Sequence, residues 1–394
     1  MSAAAPIPYL RLSGFYFVYF ALLGAWLPFW PLYLRELGYG AAAIGLLSGL
    51  LQGTKIIAPN VWGWLADRSG QRLRIIRLGA FAATAIFSVI FWRNDFVALL
   101  LIVIGYSFFW NAVMAQFEVV TLAHLGRHYQ RYSLLRLWGS VGFIGAVAGL
   151  GFCFDYISVR WLPVILFSML ATIWLASLSI GEAASAREPR VHERGSLRAI
   201  LRQPAPLAFL ASCFLLQVAH GPYYTFFSVY LDTHGYAHGQ TGLLWSLGVC
   251  AEVALFAAMP RLIVRFSLRA ILIASLLLAA LRWLLTAFFV DYLPLLLFAQ
   301  CLHAATFASH HAAAIEMVRR LFPRHQGQGM GMYSGFSYGA GAASGAVLSG
   351  LLWTFSPVAT FACAALAALA AAALVWRYVP AQIPDDTGVA LAAQ

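Results

Sequence analysis

Apolar stretches of about twenty residues recur along the chain and are separated by short polar segments. A helix needs ~20 residues to cross ~30 Å of hydrocarbon, so each stretch is long enough for one transmembrane helix. Lipid offers no partner to a bare N–H or C=O group, so these stretches must be helical. Twelve stretches can be placed, at residues 11–34, 41–65, 73–92, 96–123, 132–154, 160–180, 206–231, 239–260, 268–290, 294–319, 328–352 and 356–377. The pattern therefore predicts an all-α membrane protein with twelve transmembrane helices.

The longest polar segment divides these helices into two sets of six. It covers residues 181–205, is rich in Arg and Glu, and contains Pro189 and Pro204. We predict an N-terminal six-helix bundle at residues 1–180 and a central cytoplasmic loop at 181–205. A C-terminal six-helix bundle at 206–380 and a cytoplasmic tail at 381–394 complete the prediction.

Three short motifs occur twice in the chain, each time 197 residues apart. The first copies are Tyr33-Leu34, Gly38-Tyr39 and Gly45-Leu46-Leu47, and the second are Tyr230-Leu231, Gly235-Tyr236 and Gly242-Leu243-Leu244. Both sets connect the end of one predicted helix to the start of the next. They indicate two pseudo-symmetric halves in the same orientation, and such repeats place a substrate site between the halves near the bilayer midplane.

Composition and charge agree with a membrane protein and exclude a nucleic-acid-binding one. The chain is 62% hydrophobic and 10% charged, whereas soluble domains are about half apolar and a quarter charged. The net charge of +11 arises from basic residues that mostly lie between apolar stretches. Nineteen of them fall on one predicted side and three on the other. This positive-inside pattern predicts a bacterial inner-membrane protein with both termini in the cytoplasm.

The segment after the second predicted helix carries a specific motif, G-x-x-x-D-R-x-G-x-R. Its residues are Gly63, Asp67, Arg68, Gly70 and Arg72. Gly63 would let a neighbouring helix approach closely, Asp67 could pair with an arginine, and Gly70 would turn the chain. With its twelve helices and duplicated halves, the chain resembles the major facilitator superfamily. The resemblance implies that this motif is a conformational gate.

The second half repeats the motif incompletely. At the offset of 197 residues, Arg68 and Arg72 correspond to Arg265 and Arg269. The position of Asp67, however, holds Val264, so the acidic residue of the motif is missing there.

Ionisable groups inside the predicted helices are the candidates for chemistry. Each costs roughly 2.5–3.5 kcal/mol at a helix centre and therefore needs a partner or a wet cavity. These groups are Lys55, Glu118, Arg136, Glu252, Arg282, His303, His310, His311 and Glu316. No spacing among them, or among the five cysteines, is typical of a metal site, and we expect no metal or other cofactor.

Glu118 and Arg136 fall at similar depth on the fourth and fifth predicted helices. They form either a structural salt bridge or a site where Arg136 binds a substrate oxygen and Glu118 orients it. Lys55 and Glu252 are equivalent positions in the two halves, and a contact between them would be either static or a gate.

Arg282 and His303 also fall at similar depths, on the ninth and tenth predicted helices. With Glu252 they could form a proton relay. Glu316 lies more than three turns further along, too far to join them.

This set resembles lactose permease and related sugar–proton symporters. The resemblance implies that Glu118 and Arg136 contact substrate, and that Glu252, Arg282 and His303 handle proton coupling. A threonine, Thr306, stands where those proteins have a glutamate about one turn after the histidine.

The run Arg136-Leu-Trp138-Gly139-Ser140-Val-Gly142-Phe143 is similar to one in the 3-phenylpropionate permeases of the same superfamily. The resemblance implies an aromatic carboxylate whose anion is bound by Arg136 or Lys55. Aromatic residues make up 15% of the chain and either form a wall for the substrate ring or pack the core. The candidates are Phe15, Tyr16, Tyr19, Trp26, Trp30, Phe108, Phe109, Trp110, Tyr223, Tyr224, Phe226 and Phe227.

These observations predict a secondary active transporter and not an enzyme. No G-x-x-x-x-G-K-[ST] motif is present, so transport must draw on a gradient. We expect proton symport of a small organic solute, with 3-phenylpropionate as the best candidate, by a monomer that contacts only substrate, protons and lipid. A sugar or nucleoside symporter is the alternative within this class. A membrane-embedded enzyme or a non-transporting sensor are the alternatives outside it.

Overall fold

The computed structural model describes residues 7–182, 197–323 and 325–382. The predicted central loop and tail lie mostly outside these residues, as do Arg187, Arg190, Arg194 and Arg324. The α-helices are α1 (Tyr9–Glu36), α2 (Ala41–Gly53), α3 (Ala58–Ser69), α4 (Arg72–Ser88), α5 (Phe96–Leu125), α6 (Tyr132–Phe154), α7 (Leu162–Leu178), α8 (Leu197–Ile200), α9 (Pro204–Thr233), α10 (His238–Arg265), α11 (Leu268–Phe288), α12 (Leu293–Ala304), α13 (His310–Leu321), α14 (Gln326–Ser334), α15 (Ala342–Trp353) and α16 (Pro357–Tyr378). Since the described residues contain no strand, the all-α class is confirmed.

Nine helical stretches among the described residues are long and apolar enough to cross a membrane. One of these, Phe96–Phe154, is 59 residues long and contains both α5 and α6. The helix pairs α12–α13 and α14–α15, each separated by a π-helical turn, are not among the nine. The total of twelve membrane crossings therefore stays a prediction.

Three predicted helices are broken where the sequence did not suggest it. A 3₁₀ turn at Thr54–Ile56 separates α2 from α3, and Pro59 in the first turn of α3 lacks a backbone N–H. π-Helical turns at Ala305–Ser309 and Gly335–Gly341 separate α12 from α13 and α14 from α15. Such turns are frequent at functional sites, because they redirect the side chains of one helical face.

Contacts divide the chain into two compact units. The first comprises Met1–Pro189 with Tyr224–Ser246, and the second comprises Arg190–Tyr223 with Leu247–Gln394. In the first unit, α1 packs along α6 and α7, and α4 packs along α5 and α7. The α1–α6 crossing depends on glycine: a Cβ on Gly142 would overlap the carbonyl oxygen of Phe17, and one on Gly24 would lie 2.5 Å from that of Phe143.

The duplicated sequence motifs adopt the same backbone turn in both copies. Gly38 and Gly235 have positive φ angles of 88° and 79°. The amide of Tyr39 donates to the carbonyl of Leu34, and the amide of Tyr236 donates to that of Leu231, both at 3.1 Å. The turn conserves its geometry because only glycine adopts this left-handed conformation without steric cost.

An ion cluster links the second copy of this turn to other helix ends of the first unit. Arg35 forms an ion pair with Asp232. The two residues occupy equivalent positions in the repeat, 197 residues apart. Beside this pair, His238 lies 3.6 Å from Asp232 and 3.9 Å from Asp155.

In the second unit, α11 packs along α16 and also contacts α12 and α13. Trp283 of α11 is fully buried, and its ring lies 6.3 Å from that of Phe361. A Cβ on Gly221 would overlap the backbone of Gly345, so α9 and α15 also cross at van der Waals distance. These contacts position the buried polar residues of α11 and α12.

Candidate functional site

The gate motif forms a compact polar turn at the end of α3. Gly70 ends the helix with a φ of +66°, and its amide donates to the carbonyl of Ala66. Asp67 and Arg72 form an ion pair at 2.5 Å, and Arg72 also donates to the side chain of Gln116 on α5. Arg68 lies over the ring of Trp64 at 5.4 Å. The motif thus ties the α3–α4 connection to α5.

The expectation that Gly63 allows close helix packing stays a prediction. A Cβ on Gly63 would meet no described atom within 4 Å. Another face of α3 makes the packing contacts instead, since Ala58, Trp62 and Ala66 form a buried cluster with Ala112 of α5.

Replacing Asp67 with asparagine is expected to slow turnover several-fold and to leave the substrate Kd unchanged. The substitution removes the charge that holds Arg72 and leaves the substrate residues untouched. Turnover and binding are to be measured separately on purified protein in liposomes. The exposed Asp291→Asn variant serves as the control. An equal loss of binding in Asp67→Asn would show that the motif does more than gate.

The predicted ion pair between Glu118 and Arg136 is not formed. The hydroxyl of Tyr132, one turn before Arg136, donates to Glu118 at 3.2 Å. The Arg136 guanidinium instead lies 3.9 Å from the ring centroid of Phe20 on α1. Within the described residues of its unit, Arg136 has no carboxylate within ion-pair distance. A cation–π contact has replaced the salt bridge, because Phe20 offers the guanidinium a flat face at close range.

Lys55 lies on the 3₁₀ turn between α2 and α3 and is half-buried. The turn is held against α5, because Thr54 donates to Ser107 at 3.0 Å and Asn111 donates to Thr54 at 2.8 Å. Within the described residues of its unit, Lys55 forms no ion pair. Lys55 and Arg136 are therefore ionisable groups inside predicted spans that have no anionic partner among the described residues of this unit.

Most of the candidate aromatic wall in the first unit belongs to the core. The rings of α1 and α5 alternate in a stacked column. Phe15 stacks on Phe117 at 3.8 Å, Tyr19 on Trp110 at 4.6 Å, and Trp26 on Tyr106 at 4.9 Å. These side chains are at most 5% exposed. They stabilise the packing of the two helices, and they leave no face open to a substrate ring.

The second unit brings Glu252, Arg282 and His303 together. The Nε2 atom of His303 lies 3.5 Å from Oε2 of Glu252, and Nη1 of Arg282 lies 3.0 Å from Nδ1 of His303. Arg282 is fully buried, with its guanidinium 4.1 Å from the ring centroid of Tyr223. The geometry forms a continuous carboxylate–imidazole–guanidinium series, in which Thr306 also contacts Arg282 at 3.5 Å.

The series fixes how His303 holds its proton. A guanidinium can only donate hydrogen bonds, so Nδ1 of His303 must accept from Arg282. A neutral His303 therefore carries its proton on Nε2, which points toward Glu252. The Nε2–H of a neutral His303 is thus directed at the Glu252 carboxylate, 3.5 Å away.

Of the three remaining ionisable candidates, Glu316 and His311 have local partners. Glu316 accepts from Arg319 and Arg320 at the end of α13. His311 bonds to the hydroxyls of Tyr333 and Tyr338, both at 2.9 Å. His310 is buried within the same helix.

Sequence reasoning missed two residues of the site, Phe20 and Tyr132. Tyr132 is four positions before Arg136, so the helical period places both on one face of α6 and could have indicated it. Nothing in the sequence distinguishes Phe20 from the other aromatic residues of α1.

The apolar helices, the duplicated turn, the gate motif and the charged groups inside the spans define a multi-pass membrane protein of the class that moves solutes across bilayers. The chain belongs to the MFS_1-like family of the major facilitator superfamily, whose family model matches residues 9–363.

Two relatives and one solved structure illustrate the similarity. A protein described as a probable 3-phenylpropionic acid transporter of Escherichia coli K12 is 33% identical and covers 93% of this chain and 96% of its own. The maltose permease of Geobacillus stearothermophilus is 27% identical over 83% of each chain. A mutant of the nucleoside transporter NupG has the same fold, with a TM-score of 0.83, 18% identity, and coverage of 94% of this chain and 98% of its own.

Proposed function

We propose that this protein is a proton-coupled symporter that takes up a small aromatic carboxylate, with 3-phenylpropionate as the best candidate. The observation that carries the proposal is the pair of cations in the first unit, Lys55 and Arg136, which have no carboxylate partner there. A charge inside a membrane protein is costly unless it is paired. A substrate anion would supply the missing partner.

Arginine suits a carboxylate because its planar fork can donate two parallel hydrogen bonds. In the structure, one face of the Arg136 guanidinium is covered by Phe20, which leaves its edge for an anion. Similarity to the probable 3-phenylpropionic acid transporter over 93% of the chain supports the same substrate class.

Glu252 and His303 are the proposed proton carriers. The substrate and the proton must each bind the same conformer better, so that binding of one favours binding of the other. Glu252 lies in the second unit and Lys55 in the first, and a gating contact between these two residues stays a prediction. Glu118, which is bound to Tyr132, is the second candidate for the carboxylate that takes the proton.

We further propose that the protein is a monomer of the bacterial inner membrane with both termini in the cytoplasm. Its helices would form two six-helix bundles, at residues 1–180 and 206–380. These bundles would rock against each other to alternate access to the substrate.

The test is uptake of labelled 3-phenylpropionate into proteoliposomes, with and without an inward proton gradient. Gradient-driven accumulation is the expected result. If uptake only equilibrates, with the same final level under both conditions, proton coupling would be contradicted and 3-phenylpropionate would remain the substrate.

The alternative substrate is a sugar or nucleoside, which the similarity to the maltose permease and the fold of NupG support. Labelled maltose and uridine in the same assay distinguish it. Binding of 3-phenylpropionate without any uptake would instead indicate a sensor.

Glu252→Gln is expected to retain substrate exchange and to lose accumulation. A permanently neutral side chain mimics the protonated carboxylate, so the substrate still crosses but no longer brings a proton with it. The measurement compares counterflow with gradient-driven uptake. Glu118→Gln is tested beside it: if that variant loses accumulation and Glu252→Gln does not, the proton carrier is Glu118.

A further inference from the structure

A cleft of about 320 Å³ opens in the second unit where α10 ends and α11 begins. Residues 263–269 form one wall, Met317 and Arg320 of α13 another, and residues 380–382 the third. Three arginines line it, namely Arg265, Arg269 and Arg320.

The repeat explains why this cleft is positively charged. In the first half, Asp67 neutralises Arg72 within the gate motif. At the equivalent positions of the second half, Arg269 is retained and Asp67 is replaced by Val264. The same turn has therefore kept its cation and lost the anion that would pair with it.

The contacts of Arg269 show that this loss is not compensated locally. One terminal nitrogen donates to the backbone carbonyl of Trp376. The Nε atom is buried and has no hydrogen-bond partner among the described residues. A buried donor on a charged group is costly to leave unsatisfied, so the site favours an anion from outside the chain.

The other charges around the cleft leave it cationic. Arg265 is exposed and forms no ion pair within the described residues of its unit. Arg320 donates to Glu316 at 2.8 Å, but this carboxylate is shared with Arg319. The 21-residue helix α11 begins beside the cleft, where Ser267 caps the amide of Ala270 and the helix end adds partial positive charge.

The surroundings of the cleft are those of a membrane surface. Val264 is 81% exposed, Phe266 50% and Trp376 67%, and all three lie at the ends of apolar helices. Arginines and aromatic residues at this level lie beside lipid headgroups. The arginine distribution predicts that this face is cytoplasmic, where basic pockets between helices bind anionic headgroups.

We propose that this cleft binds the phosphate group of an anionic phospholipid, which takes the place that Asp67 holds in the first half. The shared chemistry is a phosphate oxygen accepting hydrogen bonds from Arg265 and Arg269. Free phosphate has the same chemistry, and the experiment separates the two sources.

The experiment is thermal unfolding of the purified full-length protein in detergent, titrated with phosphatidylglycerol, phosphatidylcholine or inorganic phosphate. A ligand that binds only the folded state raises its Tm, and a tighter ligand does so at a lower concentration. Phosphatidylglycerol is expected to stabilise the wild type at concentrations at least about tenfold lower than phosphatidylcholine. Stabilisation by inorganic phosphate alone would assign the site to the soluble ion.

Two variants test the site itself. Val264→Asp restores the missing acid and should weaken phosphatidylglycerol binding about tenfold. Val264→Asn, whose side chain has the shape of aspartate without its charge, should not weaken it. Val264 is exposed, so neither change should impair folding. The double variant R265Q/R269Q should weaken binding similarly, and R127Q/R131Q, which removes the same charge elsewhere on the predicted cytoplasmic side, should not.

The proposal is overturned if Val264→Asp and R265Q/R269Q bind phosphatidylglycerol as the wild type does. It is also overturned if phosphatidylglycerol stabilises the D385N/D386N variant and not the wild type, since the acidic residues beyond Gln382 would then be the occupant. Neither outcome depends on transport, so the proposed substrate and coupling are tested separately.

Discussion

Replacing Arg136 with glutamine is expected to weaken substrate binding about 100-fold. A hydrogen bond from a charged donor contributes about 1.5–3 kcal/mol, and each 1.4 kcal/mol corresponds to a factor of ten in affinity. Glutamine keeps much of the side-chain volume over Phe20 and removes the charge. The Kd for 3-phenylpropionate is to be measured by equilibrium binding to purified protein.

Two further variants make this result specific. Arg131→Gln removes the same charge five positions earlier, at an exposed site, and should bind as the wild type does. Arg136→Lys keeps the charge without the planar fork and should recover part of the affinity. Wild-type affinity in Arg136→Gln would show that the guanidinium serves only its contact with Phe20, and would move the anion site to Lys55.

Replacing Gly142 with valine is expected to prevent accumulation of folded protein. The new side chain would collide with the carbonyl oxygen of Phe17, which is backbone and cannot rotate away. Small residues at helix crossings let backbones approach closely in membranes, and a branched side chain forces the pair apart. The measurement is the yield of monodisperse protein on gel filtration, together with its Tm.

Gly145→Val on the same helix is the matched control. A Cβ at Gly145 meets no described atom within 4 Å, so this variant should fold with a Tm close to that of the wild type. Equal damage from both substitutions would trace the effect to helix propensity rather than to the α1–α6 crossing.

The helices and the repeat could be read from the chain because both are local properties. An apolar run of twenty residues must become a helix in lipid, whatever packs against it. Gly38 and Gly235 likewise required the same left-handed turn. The sequence indicated that Asp67 could pair with an arginine, and the structure identifies that arginine as Arg72, because both residues belong to one tight turn.

Inferences from helix depth were less dependable than inferences from turns. Glu118 and Arg136 fall at equal depth, which made an ion pair the natural expectation. Depth does not fix rotation about the helix axis or the choice of rotamer. In the structure, Tyr132 bonds to Glu118 and Phe20 covers Arg136, so the two charges take different partners. For a related reason the sequence did not show which face of α3 packs against α5, and in the structure Ala58, Trp62 and Ala66 make that contact.

The sequence by itself thus determined the helical class, the superfamily resemblance, the duplicated turns and the list of charged residues inside the spans. Only the tertiary structure decided which of these charges meet. It joined Glu252, His303 and Arg282, separated Arg136 from Glu118, and opened the basic cleft beside Val264. The physical reason is that spacing along a helix constrains neighbours within a turn or two, whereas contacts between residues distant in the chain depend on how whole helices pack.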